Sequence, residues 1–433
     1  MCRRGTKDSL LRREWRGCDH HDHVGAARAR PTGTRGACKG STHGGSTTAE
    51  SSRLRHGGPM SKPQLILAVE SSCDESAVAL VREGGEVLAE RVASQSDLHA
   101  ISGGVIPEVA AREHHLWVPR LLDEMLRSDA GRTHAAEIDA VGVTTGPGLI
   151  GSLLVGAGVA AAWAWGRGLP IVPVNHLEGH FRAAWLRDSA FAGVRPQLPA
   201  IGLVVSGGHT LIVYVGSDGV SERLGGTIDD AAGEAFDKIA RLIGLPYPGG
   251  AALSALATTA TQRTRRDRLP VARTEREYDL SFSGVKTAAA RMALAAAGAP
   301  SSEPGRATAL QAALRQRPVP PAAAAEIAAA AEEAIVAALV ERVESALVAY
   351  PGTGLVVGGG VAANGPLRAG LAAVAKRHQR PLSVPPARWC TDNAAMIGAA
   401  AHAALSEGRV TLQDPGRGLK VSAAWPFGAE VPS

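Results

Sequence analysis

The sequence predicts a protein of the α/β class built from two related halves. Short apolar runs of strand length alternate with longer helical segments, and glycine contributes 51 residues. Two strand–turn–strand units of the same design appear, one around the polar turn Ser71–Ser76 and one around Ser206–Thr210. Each unit is typical of a β-hairpin. Their presence in separate halves predicts a duplicated fold with a ligand between the halves.

The composition and charge of the chain support this class. Of the 433 residues, 45% are hydrophobic, 20% are charged and 4% are aromatic, which is typical of a globular α/β protein. The net charge is +5, but residues 1–59 hold 12 Lys or Arg and 5 Asp or Glu, which leaves −2 for residues 60–433. Any nucleic acid must therefore meet a local basic patch. The candidate patch is residues 263–276, with six arginines.

The leader, residues 1–59, shows almost no apolar periodicity and lacks the apolar core of a signal peptide. We expect translation to begin at Met60, and otherwise expect the leader to be disordered. Beyond the leader only Cys73 and Cys390 remain, too few for a disulfide framework. A reducing, cytoplasmic setting is therefore expected.

Two further segments bear on the organisation of the chain. Residues 149–166 carry no charge, but glycines interrupt them and short strands flank them. A helix buried within an α/β layer is therefore expected, without membrane association. Residues 297–323, rich in Pro, Ser, Gln and Ala, predict a loose insertion before a long Ala-rich helix.

The segment Val174–Phe181 contains two histidines, His176 and His180, four residues apart. On a helix this spacing places both imidazoles on one face, about one turn apart, as two ligands of a metal ion require. The same spacing also occurs by chance on solvated helices, so the interpretation needs a third ligand. Asp392, in the segment Cys390–Asn393, is the candidate carboxylate.

Glycine-rich turns predict a site for a phosphate-bearing ligand. Paired glycines in Ser206–Gly208 allow consecutive backbone N–H groups to form an anion-binding nest. Residues Gly354–Asn364 form a strand that runs into a second glycine turn, with Asn364 at the start of a helix. Asp237 is followed by Lys238, and an exposed ion pair is the simpler interpretation of that pair alone.

The chain contains eight short polar or glycine-rich motifs, which are in chain order Glu70–Glu75, Asn175–His180, Val205–His209, Asp229–Lys238, Tyr247–Gly250, Phe282–Thr287, Gly358–Asn364 and Thr391–Asn393. Together and in this order they resemble the motifs of one family, the tRNA N6-adenosine threonylcarbamoyltransferases, long mislabelled as O-sialoglycoprotein endopeptidases. The likeness extends from about residue 64 to about residue 427.

The resemblance implies a two-lobed, actin-like and sugar-kinase-like ATPase fold with the ligand in the cleft. The lobes would span residues 64–170 and 171–395, followed by a C-terminal helix and tail at 396–433. The implied reaction transfers a threonylcarbamoyl group from threonylcarbamoyl-adenylate to N6 of adenosine 37, in tRNAs that read codons beginning with A. The implied partners are tRNA, an inactive paralogue of the same fold and a small P-loop ATPase.

The resemblance also implies the roles of individual residues. His176, His180 and Asp392 would bind one divalent metal ion, Fe²⁺ in the first place and Zn²⁺ as the alternative. The adenylate would be bound by Val204, Val205, Ser206, Gly207, Gly208, Asp237, Gly250 and Asn364. No general base for the N6 amine is evident, so the catalytic residue stays unassigned.

Three other functions compete with this one. A metalloprotease would need a glutamate directly after the first histidine. Here Glu178 is at i+2, about 200° around the helix from His176, so it should face away. A non-catalytic paralogue of the same fold would not need the intact set His176, His180 and Asp392. A small-molecule kinase of this fold would need a sugar pocket, and none is evident.

Overall fold

The computed structural model describes residues 62–191, 195–261, 269–271, 274–298 and 314–432. The leader 1–59, the start at Met60, most of the arginine cluster 263–276 and much of the predicted insertion 297–323 lie outside these ranges. Two five-stranded sheets and the helices packed on them make up the described part of the chain.

The first sheet has the strand order β3-β2-β1-β4-β5. β1 and β2 pair antiparallel around the turn predicted from the sequence, whereas β4 and β5 run parallel to β1. Every residue of β1 and β4 is buried, as expected of strands covered on both faces. The strands are β1 (Leu65–Glu70), β2 (Glu75–Arg82), β3 (Glu86–Ser94), β4 (Ala140–Gly146) and β5 (Ile171–Asn175).

The second sheet repeats this arrangement in the order β10-β9-β6-β7-β8. Its three consecutive strands again form an antiparallel meander, and its last two strands run parallel to the first. The repetition confirms the predicted duplication and gives the α/β arrangement expected of an actin-like, sugar-kinase-like fold. The strands are β6 (Ala200–Val205), β7 (Thr210–Val215), β8 (Ser221–Gly226), β9 (Gly354–Gly358) and β10 (Leu382–Ser383).

Helices cover both sheets, and their small residues allow close packing. The described helices are α1 (Ser96–Ser102), α2 (Pro107–Arg127), α3 (Asp129–His134), α4 (Ile150–Arg167), α5 (His176–Arg182), α6 (Ala232–Leu242), α7 (Gly249–Ala257), α8 (Ser283–Ala296), α9 (Pro321–Ala349), α10 (Gly365–Arg377) and α11 (Ala394–Ser406). Helices α6 to α10 share one apolar core with the second sheet. Helix α9 begins at Pro321, so the last residues of the predicted insertion are already helical.

Two structural features cross the boundary expected between residues 170 and 171. Strand β5 pairs with β4 and so completes the first sheet. Helix α11 also returns to that sheet and packs on β1 and β2, so residues 396–406 belong to its core and are not an appendage. Both features depend on contacts between residues far apart in sequence, and local patterns do not encode such contacts.

The uncharged segment 149–166 forms helix α4, which is buried on one face only. Gly156 is on the buried face, where an added Cβ would collide with the side chain of Ser71. On the outer face Ile150, Leu154 and Trp165 are exposed. In the described part of the chain, no helix combines the length and the apolar character that crossing a membrane requires.

Candidate functional site

Helix α5 carries the histidine pair and begins at the end of β5. The side-chain oxygen of Asn175 caps the helix by accepting hydrogen bonds from the N–H groups of Leu177, at 2.9 Å, and Glu178, at 3.3 Å. All seven residues of α5 are buried. The helix packs against α11 and against β6 and β9. It therefore lies between the layers that belong to the two sheets.

Asp392 meets the histidine pair at the start of α11. Its Oδ1 lies 3.1 Å from Nε2 of His180 and 3.6 Å from Nε2 of His176. One potential ligand atom from each of the three residues falls within 4.8 Å of the others. The next residue, Asn393, caps α11 by accepting a 2.8 Å hydrogen bond from the N–H of Met396, which fixes the turn that presents Asp392.

The three side chains fit a divalent metal ion. Both ring nitrogens of His180 are buried and, within the described residues, neither has a hydrogen-bond partner. The 3.1 Å approach of Nε2 to Asp392 is therefore a close contact without hydrogen-bond geometry. Buried polar atoms are normally paired, and a cation would satisfy this nitrogen and the carboxylate together.

Three side chains of the first lobe support His176 at Nδ1, the ring nitrogen on the side away from Asp392. Glu70 Oε2 and Ser72 Oγ each lie 3.1 Å from His176 Nδ1. Thr144 in turn donates its hydroxyl proton to Glu70 Oε2 at 2.5 Å. A carboxylate bonded to the far nitrogen of a ligating histidine fixes the orientation of the ring and makes it a better ligand. The sequence interpretation did not assign this role to Glu70, although Glu70 opens the first family motif.

Burial and the surrounding charges shift the pKa values of His176 and His209 in opposite directions. Burial lowers the pKa of His176, but the carboxylates of Asp392 and Glu70 outweigh it and raise this pKa to about 9. The imidazoles of His176 and His180 hold the pKa of Asp392 well below its usual range, although burial alone would raise it. Burial and the neighbouring His176 and His180 lower the pKa of His209 to about 4, so His209 is neutral at physiological pH.

Glu75 is a second acid that the sequence interpretation left without a definite role. Burial, Asp392 and Asp74 together raise the pKa of its carboxyl group well above 4.5. Its Oε1 accepts a 3.2 Å hydrogen bond from the hydroxyl of Ser94. A carboxyl group that keeps its proton to an unusually high pH beside a candidate metal centre is suited to proton exchange.

The glycine turn after β6 offers open backbone to a ligand. Val204 and Val205 are the buried end of the strand, and Ser206 closes the turn with a backbone hydrogen bond to the carbonyl of His209, at 2.8 Å. An added Cβ at Gly207 or Gly208 would meet no atom within 4 Å. The N-terminus of α6 adjoins the turn, where the N–H of Gly233 donates to the carbonyl of Ser206. Backbone N–H groups and a helix N-terminus together favour an anion.

Asp237 and Gly250 meet at the start of α7. Asp237, on α6, accepts a 2.7 Å hydrogen bond from the N–H of Gly249 and so fixes the start of α7. Burial raises the pKa of Asp237. The space around Gly250 is open, since an added Cβ would meet no atom within 4 Å. Asp237 is therefore not the exposed partner of Lys238, which binds Asp230 and Glu234 instead.

Asn364 caps α10, and protein groups use both of its amide protons. Its Oδ1 accepts from the N–H of Leu367, and its Nδ2 donates to Ser254 Oγ at 2.9 Å and to Glu332 Oε1 at 2.7 Å. Both amide protons are thereby used. Asn364 thus stands at the start of a helix, as the sequence predicted, and it contacts α7 through Ser254. An adenylate would meet its backbone or the free lone pair of Oδ1.

Comparison with known proteins identifies the family of this chain. The family model for tRNA N6-adenosine threonylcarbamoyltransferase matches residues 86–399. A relative of that name from Synechococcus sp. (strain CC9902) is 41% identical over 374 residues, which cover 84% of this chain and 96% of the relative. Another, from Symbiobacterium thermophilum, is 44% identical over 338 residues, covering 78% and 91%. The chain belongs to the tRNA N6-adenosine threonylcarbamoyltransferase family.

Membership of this family makes the chain an acyltransferase that modifies tRNA by forming threonylcarbamoyladenosine. Among solved structures, HypF of T. kodakarensis is similar with a TM-score of 0.48 at 14% identity, over 80% of this chain and 48% of that protein. The threonylcarbamoyltransferase family assignment and the fold described above thus agree with the expectations drawn from the eight motifs.

Proposed function

We propose that this threonylcarbamoyltransferase takes the acyl group from threonylcarbamoyl-adenylate and transfers it to N6 of adenosine 37 in tRNAs that read codons beginning with A. The observation that carries the proposal is the junction of two features. The cluster of His176, His180 and Asp392 lies beside a turn with open backbone N–H groups. His209 belongs to that turn, and the nearby His176 and His180 lower its pKa.

The residues of the chain would divide the work as follows. His176, His180 and Asp392 would hold one divalent ion, which acts as a Lewis acid and template for the phosphate and carbamoyl oxygens. The N–H groups of Gly207 and Gly208 would stabilise negative charge on the leaving phosphate, whereas Ser206 would hold the turn in place, because its own N–H donates to the carbonyl of His209. Val204, Val205, Asp237, Gly250 and Asn364 would shape the cavity for the nucleoside. Glu75 is the group we assign to proton exchange with the amine.

The donor set favours Fe²⁺, with Zn²⁺ as the alternative. Two imidazoles and one carboxylate are the protein ligands of many non-haem Fe²⁺ sites and leave coordination positions free for substrate. Zinc accepts the same ligands in catalytic sites. Measuring the metal content of protein purified without added metal distinguishes the two.

Proteolysis is disfavoured by the position of Glu178. Its carboxylate points to the side of α5 away from the histidines and forms a 2.7 Å ion pair with Arg409. It therefore has no access to a water molecule bound at the metal, as a protease glutamate would require. The intact metal cluster likewise disfavours the role of an inactive scaffold.

An apolar face on the first lobe supports a protein partner. Ile150, Leu154 and Trp165 on α4 are exposed, and Leu116 is exposed on α2, which packs against α4. Exposed apolar helix faces of this kind mark protein interfaces. We assign this face to the paralogue of the same fold, with a small P-loop ATPase as a further partner.

We expect the reaction to occur in the cytoplasm, because tRNA is the substrate and Cys73 and Cys390 are free thiols.

The test is a reconstituted transfer assay with tRNA and synthetic threonylcarbamoyl-adenylate, with and without the two partner proteins. We expect threonylcarbamoyladenosine at position 37 when the adenylate is supplied. Product formation from free threonine, bicarbonate and ATP alone, without the adenylate or its synthase, would contradict the proposed donor. Casein in the same reaction should stay intact, and its cleavage in a His176-dependent manner would revive the protease.

A further inference from the structure

Helix α5 is too short to fix its own position. It has seven residues, and a helix of that length is not stable without tertiary contacts. One side of it presents His176 and His180 to Asp392. The contacts on its other side therefore contribute to the placement of the two imidazoles, together with the contacts of His176 with Glu70 and Ser72.

A chain of alternating charges lines that other side. Glu178 Oε2 binds Arg409 Nη1 at 2.7 Å, and Arg409 Nη2 binds Glu407 Oε2 at 2.8 Å. Glu407 Oε1 binds Arg182, which brings the chain back to α5. The guanidinium group of Arg182 also lies over the ring of Trp185, 4.9 Å from its centroid. We call these four residues, Glu178, Arg409, Glu407 and Arg182, the clamp.

The clamp joins the two elements that carry the metal ligands. Glu178 and Arg182 belong to α5, whereas Glu407 and Arg409 directly follow the end of α11. Asp392 precedes the first residue of that same helix. Between these ends, α5 and α11 are in close contact, since an added Cβ at Gly179 would lie 2.9 Å from Ile397 and 3.2 Å from Met396. The clamp therefore ties the helix of two ligands to the helix that presents the third.

Beside the clamp, the packing around α5 contains a gap. A cavity of about 320 Å³ opens beside Glu178 and Arg409, lined in part by Asn175, Ala404 and Trp425. Apolar packing is thus interrupted where the clamp crosses. The clamp is largely buried, with side-chain exposures of 8% for Glu178, 21% for Arg409, 15% for Glu407 and 7% for Arg182. Its charges balance within the set, so loss of one member leaves a buried charge without its partner.

We infer that the clamp is a positioning device for the metal site, and that its link between α5 and α11 sets the affinity for the metal ion. None of its four residues belongs to the candidate metal cluster or to the proposed substrate-binding residues. Arg409 is the central member, because its planar, five-donor head binds Glu178 and Glu407 at once. The inference rests on the proposed metal site, and it adds residues that act through α5.

The experiment measures the dissociation constant of Co²⁺ by absorption titration of the metal-free full-length protein, together with the melting temperature. Three variants are compared: Arg409→Met, the double variant Glu178→Gln with Arg409→Met, and Arg409→Lys. Arg377→Met, on α10, is the matched control, because it breaks an ion pair with Glu344 of α9 far from the clamp. The inference predicts at least a tenfold weaker affinity for Arg409→Met and wild-type affinity for the control.

The double variant separates positioning from simple stability. It removes the unpaired charge of Glu178 and should recover part of the melting temperature, but it leaves the link broken, so Co²⁺ should still bind weakly. Wild-type affinity in the double variant, or a lowered melting temperature with unchanged affinity in Arg409→Met, would overturn the inference. If Arg409→Met does not fold, Arg409→Lys decides, because a single ammonium group keeps the charge but cannot hold both carboxylates in the same geometry. Failure of the wild-type protein to bind Co²⁺ would instead refute the metal site itself.

Discussion

The two lobes place equivalent turns at the site but use them in different ways. The turn after β1 in the first lobe is closed, because Ser71 donates to the carbonyl of Ser152 and Ser72 contacts His176. The turn after β6 in the second lobe is open, with space around Gly207 and Gly208. Both turns join the first two strands of a sheet with the same strand order.

This difference shows how a duplicated fold can divide one function. The first turn works through side chains, since Glu70, at the end of its first strand, and Ser72 orient a metal-binding imidazole. The second turn works through backbone N–H groups, which need close approach and therefore glycine. The comparison predicts that damage to the first turn affects the metal, whereas damage to the second affects the substrate.

The largest effect is expected from removing Asp392, the carboxylate of the proposed metal site. Asp392→Ala leaves His176 and His180 without the carboxylate that completes the set. We expect metal binding to fall below detection and transfer to fall by about a thousandfold or more, because a catalytic metal ion stabilises the transition state by several kcal/mol. Metal analysis and the reconstituted assay measure this, with circular dichroism to show that the variant is folded. Transfer at the wild-type rate without bound metal would refute the site.

A change in the first turn should weaken the metal without removing it. Glu70→Gln keeps the size of the side chain but loses the charge that faces His176 Nδ1. We expect the metal dissociation constant to rise by about 10- to 100-fold, as for other partners of ligating histidines. The KM for the adenylate, measured at saturating metal, should change little. A raised KM with unchanged metal affinity would reverse the assignment of the two turns.

The two turns should also differ in their response to pH. In the metal-free protein His176, beside Glu70, has a pKa of about 9, whereas His209 in the second turn has one of about 4. The His176 proton must leave before metal binds, so affinity should rise about tenfold per unit between pH 7 and pH 9. Metal titrations across that range measure this, and an affinity independent of pH would contradict it.

The stability of the metal-free protein should change in the opposite sense. The raised pKa of His176 stabilises the fold fully below pH 6.5, and this stabilisation is lost as the pH rises toward about 9. Thermal melts of wild type and His176→Gln between pH 6 and pH 9 test this, and the difference between them should shrink as the pH rises.

The smallest effect is expected from a single methyl group in the second turn. Gly208→Ala places its Cβ in open space, so the free energy of unfolding should change by less than about 0.5 kcal/mol. The KM for the adenylate should rise about fivefold, the equivalent of one weakened hydrogen bond of about 1 kcal/mol. Metal affinity should not change.

The matched control lies beside the first turn. At Gly148 an added Cβ would lie 2.6 Å from the carbonyl oxygen of Ser72, so Gly148→Ala should destabilise the fold by about 1–3 kcal/mol. If Gly208→Ala proved equally destabilising, the second turn would not be open.

Local patterns in the sequence predicted much of the fold. Apolar runs bounded by polar turns predicted both hairpins, and the uncharged run 149–166 predicted helix α4. The place of β5 in the first sheet and the return of α11 were not predicted. They depend on pairing between segments far apart in the chain, such as α11 with β1 and β2.

The site was predictable to a similar degree. Helix geometry alone placed His176 and His180 together and turned Glu178 away, and the structure confirms both features. The support of His176 by Glu70 and the pairing of Glu178 with Arg409 were not predictable, since each joins residues more than 100 positions apart. The bond of Asn364 to Ser254, 110 positions away, was missed for the same reason.

The most direct test of the account is mass spectrometry of tRNA nucleosides from cells that are depleted of this protein and then supplied with wild type, Asp392→Ala or the Arg377→Met control. We expect threonylcarbamoyladenosine to disappear on depletion. Wild type and Arg377→Met should restore it, whereas Asp392→Ala should not, although the protein accumulates. Unchanged threonylcarbamoyladenosine after depletion, or full restoration by Asp392→Ala, would contradict the central claim that this cluster carries the transfer.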